Sequence, residues 1–138
     1  MSTRTDMYSG GTAEAGFTIA FDEDARKILV RGWGFWSPAI ASDFGNAVRE
    51  ACKNRPSESA VNMDLTDLKP MREEGQLTFS LLARTLPALL TGPIVLTTSS
   101  QLTRLQLLRI IGAAGSKRPI QVVSTAEKGT SSQGSSST

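Results

Sequence analysis

Apolar and polar residues alternate where the chain first shows a regular pattern. Phe17, Ile19 and Phe21 take turns with Thr18, Ala20 and Asp22, the period of two that marks a half-buried strand. A polar turn at Asp22-Glu23-Asp24 leads into a second strand over Lys27–Arg31 (KILVR), and the short gap predicts a hairpin. The period then changes. Ser37-Pro38 reads as an N-cap followed by proline at the first helical position. Ile40, Phe44, Ala47, Val48 and Ala51 recur at helical spacing behind it, and the segment Asn54–Ser57 ends that helix. Ala60–Leu65 (AVNMDL) is a third strand, with Val61, Met63 and Leu65 on one side and Asn62 and Asp64 on the other.

A second helix is expected to begin at Glu73-Glu74, where carboxylates meet the positive end of the helix dipole. Leu77, Leu81, Leu82 and Thr85 supply its apolar side, and Pro87 is expected to stop or bend it. Gly92-Pro93 punctuates the chain before Ile94–Thr97 (IVLT), a short apolar strand of the kind covered on both faces. Ser99 or Ser100 caps a third helix with an inner stripe of Leu102, Leu105, Leu108 and Ile111, and Gly112 or Gly115 stops it. Ile120–Val123 (IQVV) is the last strand.

Strands alternating with helices in this order demand a largely parallel sheet with right-handed crossovers. The expected fold is α/β: a mostly parallel five-stranded sheet, three main helices and an N-terminal hairpin strand at one side. Residues 1–16 show no apolar period, and residues 125–138 have a Gly/Ser/Thr composition that buries too little surface to offset its ordering entropy. Both are expected to be disordered tails around a folded unit at 17–124.

Three stretches of that unit resemble a STAS domain, the fold of bacterial anti-sigma-factor antagonists. Ile28–Gly32 is similar to the family's apolar strand ending in Gly before its first helix. Asp64-Leu65-Thr66-Asp67-Leu68 followed by Arg72-Glu73-Glu74-Gly75 sits where the family has an Asp-Leu-Ser-like strand end and then Asp-Ser-Ser-Gly. Ile94-Val95-Leu96 and Ser99–Gly115 resemble the fourth strand and its Leu-rich helix. The resemblance implies a regulatory domain whose docking to a kinase is broken by phosphorylation of a Ser at the start of the second helix. Here that position is Glu73, flanked by Arg72 and Glu74, with Gly75 retained. The acceptor hydroxyl is absent, so the family's phosphorylation switch is not expected to operate. The C-terminal helix usual in the family has no counterpart in the Ser/Gly-rich end of the sequence.

Composition narrows the chemistry. The 138 residues contain no histidine, which removes Ser-His-Asp and Cys-His catalysis and imidazole metal sites together. A single cysteine, Cys52, leaves no internal disulfide; its place late in the first helix suggests a small buried hydrophobe rather than a reactive thiol. The formal charge of +2 is too small to point to nucleic acid. Bases gather late, at Arg104, Arg109, Lys117, Arg118 and Lys128, but no aromatic residue lies near them for stacking on bases. A solvated helix face is the expected account, with no DNA partner. No run approaches the roughly 18 apolar residues of a membrane span, and no basic start with an apolar run marks a secretory signal. The expected location is cytoplasmic.

In open α/β sheets, ligands and partners meet the C-terminal ends of the strands. Three connections converge there: Gly32–Ser37, Thr66–Glu74 and Thr97–Gln101. The first, GWGFWS, concentrates Trp33, Phe35 and Trp36. Such rings anchor protein interfaces, although some of them can instead close the open end of the core. Gly32-Trp33-Gly34 fails as a dinucleotide motif because Ser37 stands where a further Gly is needed. The second connection offers Lys69, Met71, Arg72 and Glu73, and Glu73 supplies one negative charge against nearly two for a phosphate. Asp64 and Asp67 lack converging partners for catalysis or metal binding and are expected to satisfy turn and cap amides. Ser99 and Ser100, at the start of the third helix, are candidates for receiving an anion.

The expected function is therefore a non-catalytic interaction module in bacterial signalling, with no cofactor and no metal. Its partner would be a protein: an anti-sigma-like kinase, a signalling complex or a second copy. Trp33, Phe35, Trp36, Lys69, Met71, Arg72 and Glu73 would form the contact, and changing Trp36 or Arg72 to Ala is expected to weaken capture without unfolding. The alternative is a sensor of a nucleotide or lipid head group at the same edge.

Overall fold

Strand-forming alternation and helix-forming stripes assemble in the computed structural model, which describes residues 4–115 and 120–125, into one six-stranded sheet with three helices. The elements are β1 (Arg4–Gly11), β2 (Gly16–Asp22), β3 (Lys27–Gly34), α1 (Pro38–Lys53), β4 (Ala60–Leu68), α2 (Glu73–Leu89), β5 (Ile94–Thr98), α3 (Gln101–Ala114) and β6 (Ile120–Ser124). The strands lie in chain order. β1–β2 and β2–β3 pair antiparallel, and β3 through β6 are parallel.

The hairpin expected from Phe17–Arg31 is β2–β3, closed by Asp22 opposite Lys27. The strand count differs from expectation because residues 4–11, placed in a disordered tail, form edge strand β1. That strand is mostly exposed, so no period of two betrays it. Its register slips between Asp6 and Tyr8, and Met7 and Tyr8 pack partly against the core. Gly10 leaves room for the Phe17 ring, which would lie 2.7 Å from a Cβ there. The expected C-terminal tail falls outside the described residues, Thr125 excepted.

Right-handed crossovers that advance along the sheet in one direction put their helices on one face. The burial follows: Ile28, Val30, Val61, Met63, Leu65, Ile94 and Leu96 are buried with the helices. Arg31 and Asp64 are exposed on the other face, and Leu29, Asn62, Val95 and Thr97 are half-buried there. β5 is thus covered on one face rather than on two.

Helix α1 starts as its sequence demands, with the Ser37 hydroxyl accepting from the Ile40 amide. Phe44, Val48, Ala51 and Cys52 form its inner side. Burial pushes the Cys52 thiol up from 9.0 to about 12, which keeps it protonated and inert at neutral pH. Helix α2 runs through Pro87 to Leu89, so of the stop or bend expected at proline the stop is not made; Leu90 still donates to the Leu86 carbonyl.

The apolar faces of α2 and α3 differ from expectation. On α2 the core side is Gly75, Phe79, Leu82, Ala83 and Leu86, while Leu77 and Leu81 are exposed. On α3 it is Thr103, Leu107 and Ile110, while Leu102, Leu105 and Leu108 are exposed. For α3 the reason is geometric. Residues three apart fall short of a turn by about 60°, so the stripe from Leu102 to Ile111 walks half-way round the helix. Gly115, at φ 65°, ends α3 in the left-handed conformation that glycine favours, whereas Gly112 stays within the helix.

Candidate functional site

The C-terminal ends of β3, β4 and β5 open onto a cleft of about 790 Å³. Its lining includes Glu14, Arg31, Trp33, Asp67, Lys69, Ser99 and Ser100. The three anticipated connections supply part of the wall. A fourth wall, the β1–β2 turn at 12–15, comes from the strand that the sequence reading missed.

That turn is built locally: the Thr12 amide donates to the Ala15 carbonyl (2.7 Å), and the Glu14 amide donates to the Thr12 hydroxyl (3.2 Å). It leans on β3. The Trp33 indole N–H donates to the Thr12 carbonyl at 3.0 Å. Gly34 has φ +81°, and a Cβ there would run into the Glu14 carbonyl oxygen and the Ala15 backbone. The second Gly of GWGFWS therefore serves the approach of two backbones, not a phosphate.

Arg31 is part of this lining. Its guanidinium sits 4.7 Å from the Trp33 ring centroid and donates to Asp67 Oδ2 at 3.2 Å. The pair exists because of a break in register. Arg31 pairs with Asp64 but Trp33 with Asp67, so β4 carries one extra residue against β3. Such a bulge re-aims the side chains beyond it, and it sets Asp67 beside Arg31. The third strand accordingly extends to Leu68 rather than ending at Leu65. Asp64 accepts from the Thr66 amide at 3.0 Å, the turn role expected of it; Asp67 instead forms the ion pair.

The other connections are pinned in turn. The Ser99 hydroxyl donates to the Thr66 carbonyl at 2.6 Å, and Ser100 accepts from the Thr103 amide as the α3 N-cap. Both hydroxyls thus hold backbone while lining the cleft. Gln106 clasps Met71 from both sides, accepting from its amide (2.9 Å) and donating to its carbonyl (3.1 Å), while Gln76 Nε2 donates to the same carbonyl (3.0 Å).

The predicted contact residues therefore divide. Trp33, Lys69, Ser99 and Ser100 share the cleft. Phe35 does not line it; it follows Gly34, which does, and is 62% exposed. Arg72 and Glu73 are exposed at the start of α2 but do not line the cleft. Two assignments are corrected. Trp36 is 8% exposed, packed on Phe44 and stacked on Phe79 at 6.0 Å, with its indole N–H donating to the Gly16 carbonyl. Met71 is 7% exposed and packs on Gly75. Neither side chain can meet a partner without opening the core. Of the late basic cluster, Arg109 donates to Gln76, and Lys117, Arg118 and Lys128 lie outside the described residues.

Sequence reasoning missed Arg31 and Glu14 as site residues. A charged residue at the end of an otherwise apolar strand was a usable signal for Arg31; Glu14 had none, because its strand was not seen. Comparison of the chain with protein-family models, with curated proteins and with solved structures returned no significant match. Among the described residues no helix is long and apolar enough to cross a membrane.

Proposed function

We propose that the chain is a non-catalytic, STAS-like interaction module of bacterial regulation that holds a partner protein at the C-terminal edge of its sheet. The observation that carries this reading is Phe35. Two of the three rings in its loop are engaged, Trp33 with Arg31 and the Thr12 carbonyl, and Trp36 in the core. Phe35 is held out in solvent between them and α1. An exposed aromatic on a loop anchored at both sides loses little freedom on binding, and such side chains dominate interface energetics.

The surroundings suit a protein surface. Arg31 and Asp67 satisfy each other, while Lys69 at the rim makes no ion pair among the described residues. A rim charge of this kind steers encounter more than it adds affinity. Of the acids at this edge, Asp67 is paired with Arg31, Glu14 accepts from the Thr12 hydroxyl and Asp64 accepts from the Thr66 amide. Glu73 gives the first turn of α2 a fixed charge in place of a switchable one.

A second reading is favoured by the size of the cleft, since about 790 Å³ falls within the range of small-molecule sites. A nucleotide or lipid head group would raise the melting temperature by binding the folded state.

One capture experiment separates these readings. Phe35→Ala should leave the fold intact, as an exposed truncation costs within about 0.5 kcal/mol. It should reduce recovery of a specific partner from the source cell at least about tenfold. Equal recovery by wild type and variant would reject the docking surface. A thermal shift with a nucleotide and no change on Phe35→Ala would favour the second reading.

A further inference from the structure

Helix α2 turns an unpartnered face outward. Its exposed positions are Glu73, Glu74, Leu77, Leu81, Arg84 and Ala88. The two leucines sit one turn apart and are each 58% exposed. None of Glu73, Glu74 and Arg84 forms an ion pair among the described residues. Together the two leucines form an apolar strip on an otherwise charged helix face, and contiguous exposed apolar surface is a feature of contact sites when it is broad enough.

The order of charges says what covers it. Acid lies three residues before Leu77, at Glu74, and base three residues after Leu81, at Arg84. A two-fold axis between the leucines maps each group onto its complement: Leu77 onto Leu81 of the second copy, Glu74 onto Arg84 of the second copy. Isologous interfaces require this self-complementarity, whereas an unrelated partner has no need of it. We propose that the chain forms a two-fold dimer through antiparallel packing of α2 on α2 of a second copy.

Helix α3 widens the strip. It is tied to α2 by the Arg109–Gln76 hydrogen bond and to the connection before α2 by Gln106–Met71, and it presents Leu105, exposed, within about 40° of Arg109 around the helix. A stable dimer buries about 800 Å² on each partner, more than one helix face supplies, so Leu105 belongs to the contact. The cleft at the sheet edge stays open, because it lies at the strand ends and not on the helix layer. The inference does not depend on the docking role of Phe35.

Sedimentation velocity on the full chain tests it, with circular dichroism to check each fold. Wild type should sediment as a dimer at about 100 μM, and Leu81→Lys as a monomer. Glu74→Arg and Arg84→Glu should each weaken the dimer about tenfold, by replacing two attractions with two repulsions. The Glu74→Arg/Arg84→Glu double variant should recover wild-type affinity within about threefold, since the swapped charges again face their complements. A monomeric wild type, or a dimer indifferent to Leu81→Lys, would overturn the proposal. Additive weakening in the double variant would overturn the antiparallel register on which it rests.

Discussion

Replacing Trp36 with Ala is expected to destabilise the protein by about 3–5 kcal/mol, the usual cost of deleting a large core aromatic. The ring lies 4.5 Å from Phe44 and 6.0 Å from Phe79, centroid to centroid, and Phe44 in turn meets Phe17 edge-on at 5.4 Å. It therefore joins β2, α1 and α2 in one cluster. Gly32 exists to admit it: a Cβ at that position would sit 2.7 Å from the Trp36 ring. Truncation removes these contacts and also leaves the Gly16 carbonyl without the indole N–H that donates to it at 3.1 Å. A domain of this size has a total stability of about 5–15 kcal/mol, so the variant should be partly unfolded near physiological temperature. A urea titration showing a loss under 1 kcal/mol would place the ring at the surface after all. Lost partner capture by this variant carries no information about the docking face, whereas Phe35→Ala does.

Gly34→Ala should be nearly as damaging, at about 2–4 kcal/mol. Two costs add. The residue sits at φ +81°, where an L side chain is strained, and its Cβ would meet the backbone of Glu14 and Ala15. Backbone cannot swing aside as a side chain can, so relief requires the β1–β2 turn to lift off β3. That movement would break the Trp33 bond to the Thr12 carbonyl and dismantle one wall of the cleft. The variant should lose amide protection at residues 12–16 and 33–34 before the rest of the sheet. Uniform protection with an unchanged urea midpoint would show that the turn does not depend on this contact.

Much of the architecture could be read from the chain because the relevant signals are local. The alternation at Phe17–Phe21, the Ser37-Pro38 cap, the Glu73-Glu74 helix start and the Gly115 stop each rest on residues a few positions apart, and each stands in the structure. The failures are non-local. β1 is an exposed edge strand, held by pairing with β2 rather than by a buried face of its own. The leucines of α3 suggested an inward stripe, yet the sheet chose Thr103, Leu107 and Ile110, whose spacing follows the helical turn. Trp36 and Phe35 are neighbours in sequence, and only the close packing over Gly32 decides which ring goes inside. The Arg31–Asp67 pair depends on one extra residue in β4, an offset that is invisible until two strands are set side by side.

The central claim is that the strand-end cleft and Phe35 form the docking face. Hydrogen exchange on the chain with and without its captured partner tests this most directly. The expected result is new protection in 12–15, 31–36 and 66–74, with the open sheet face and the end of α3 unchanged. Protection confined to the open sheet face, around Leu29, Asn62 and Val95, would contradict the account.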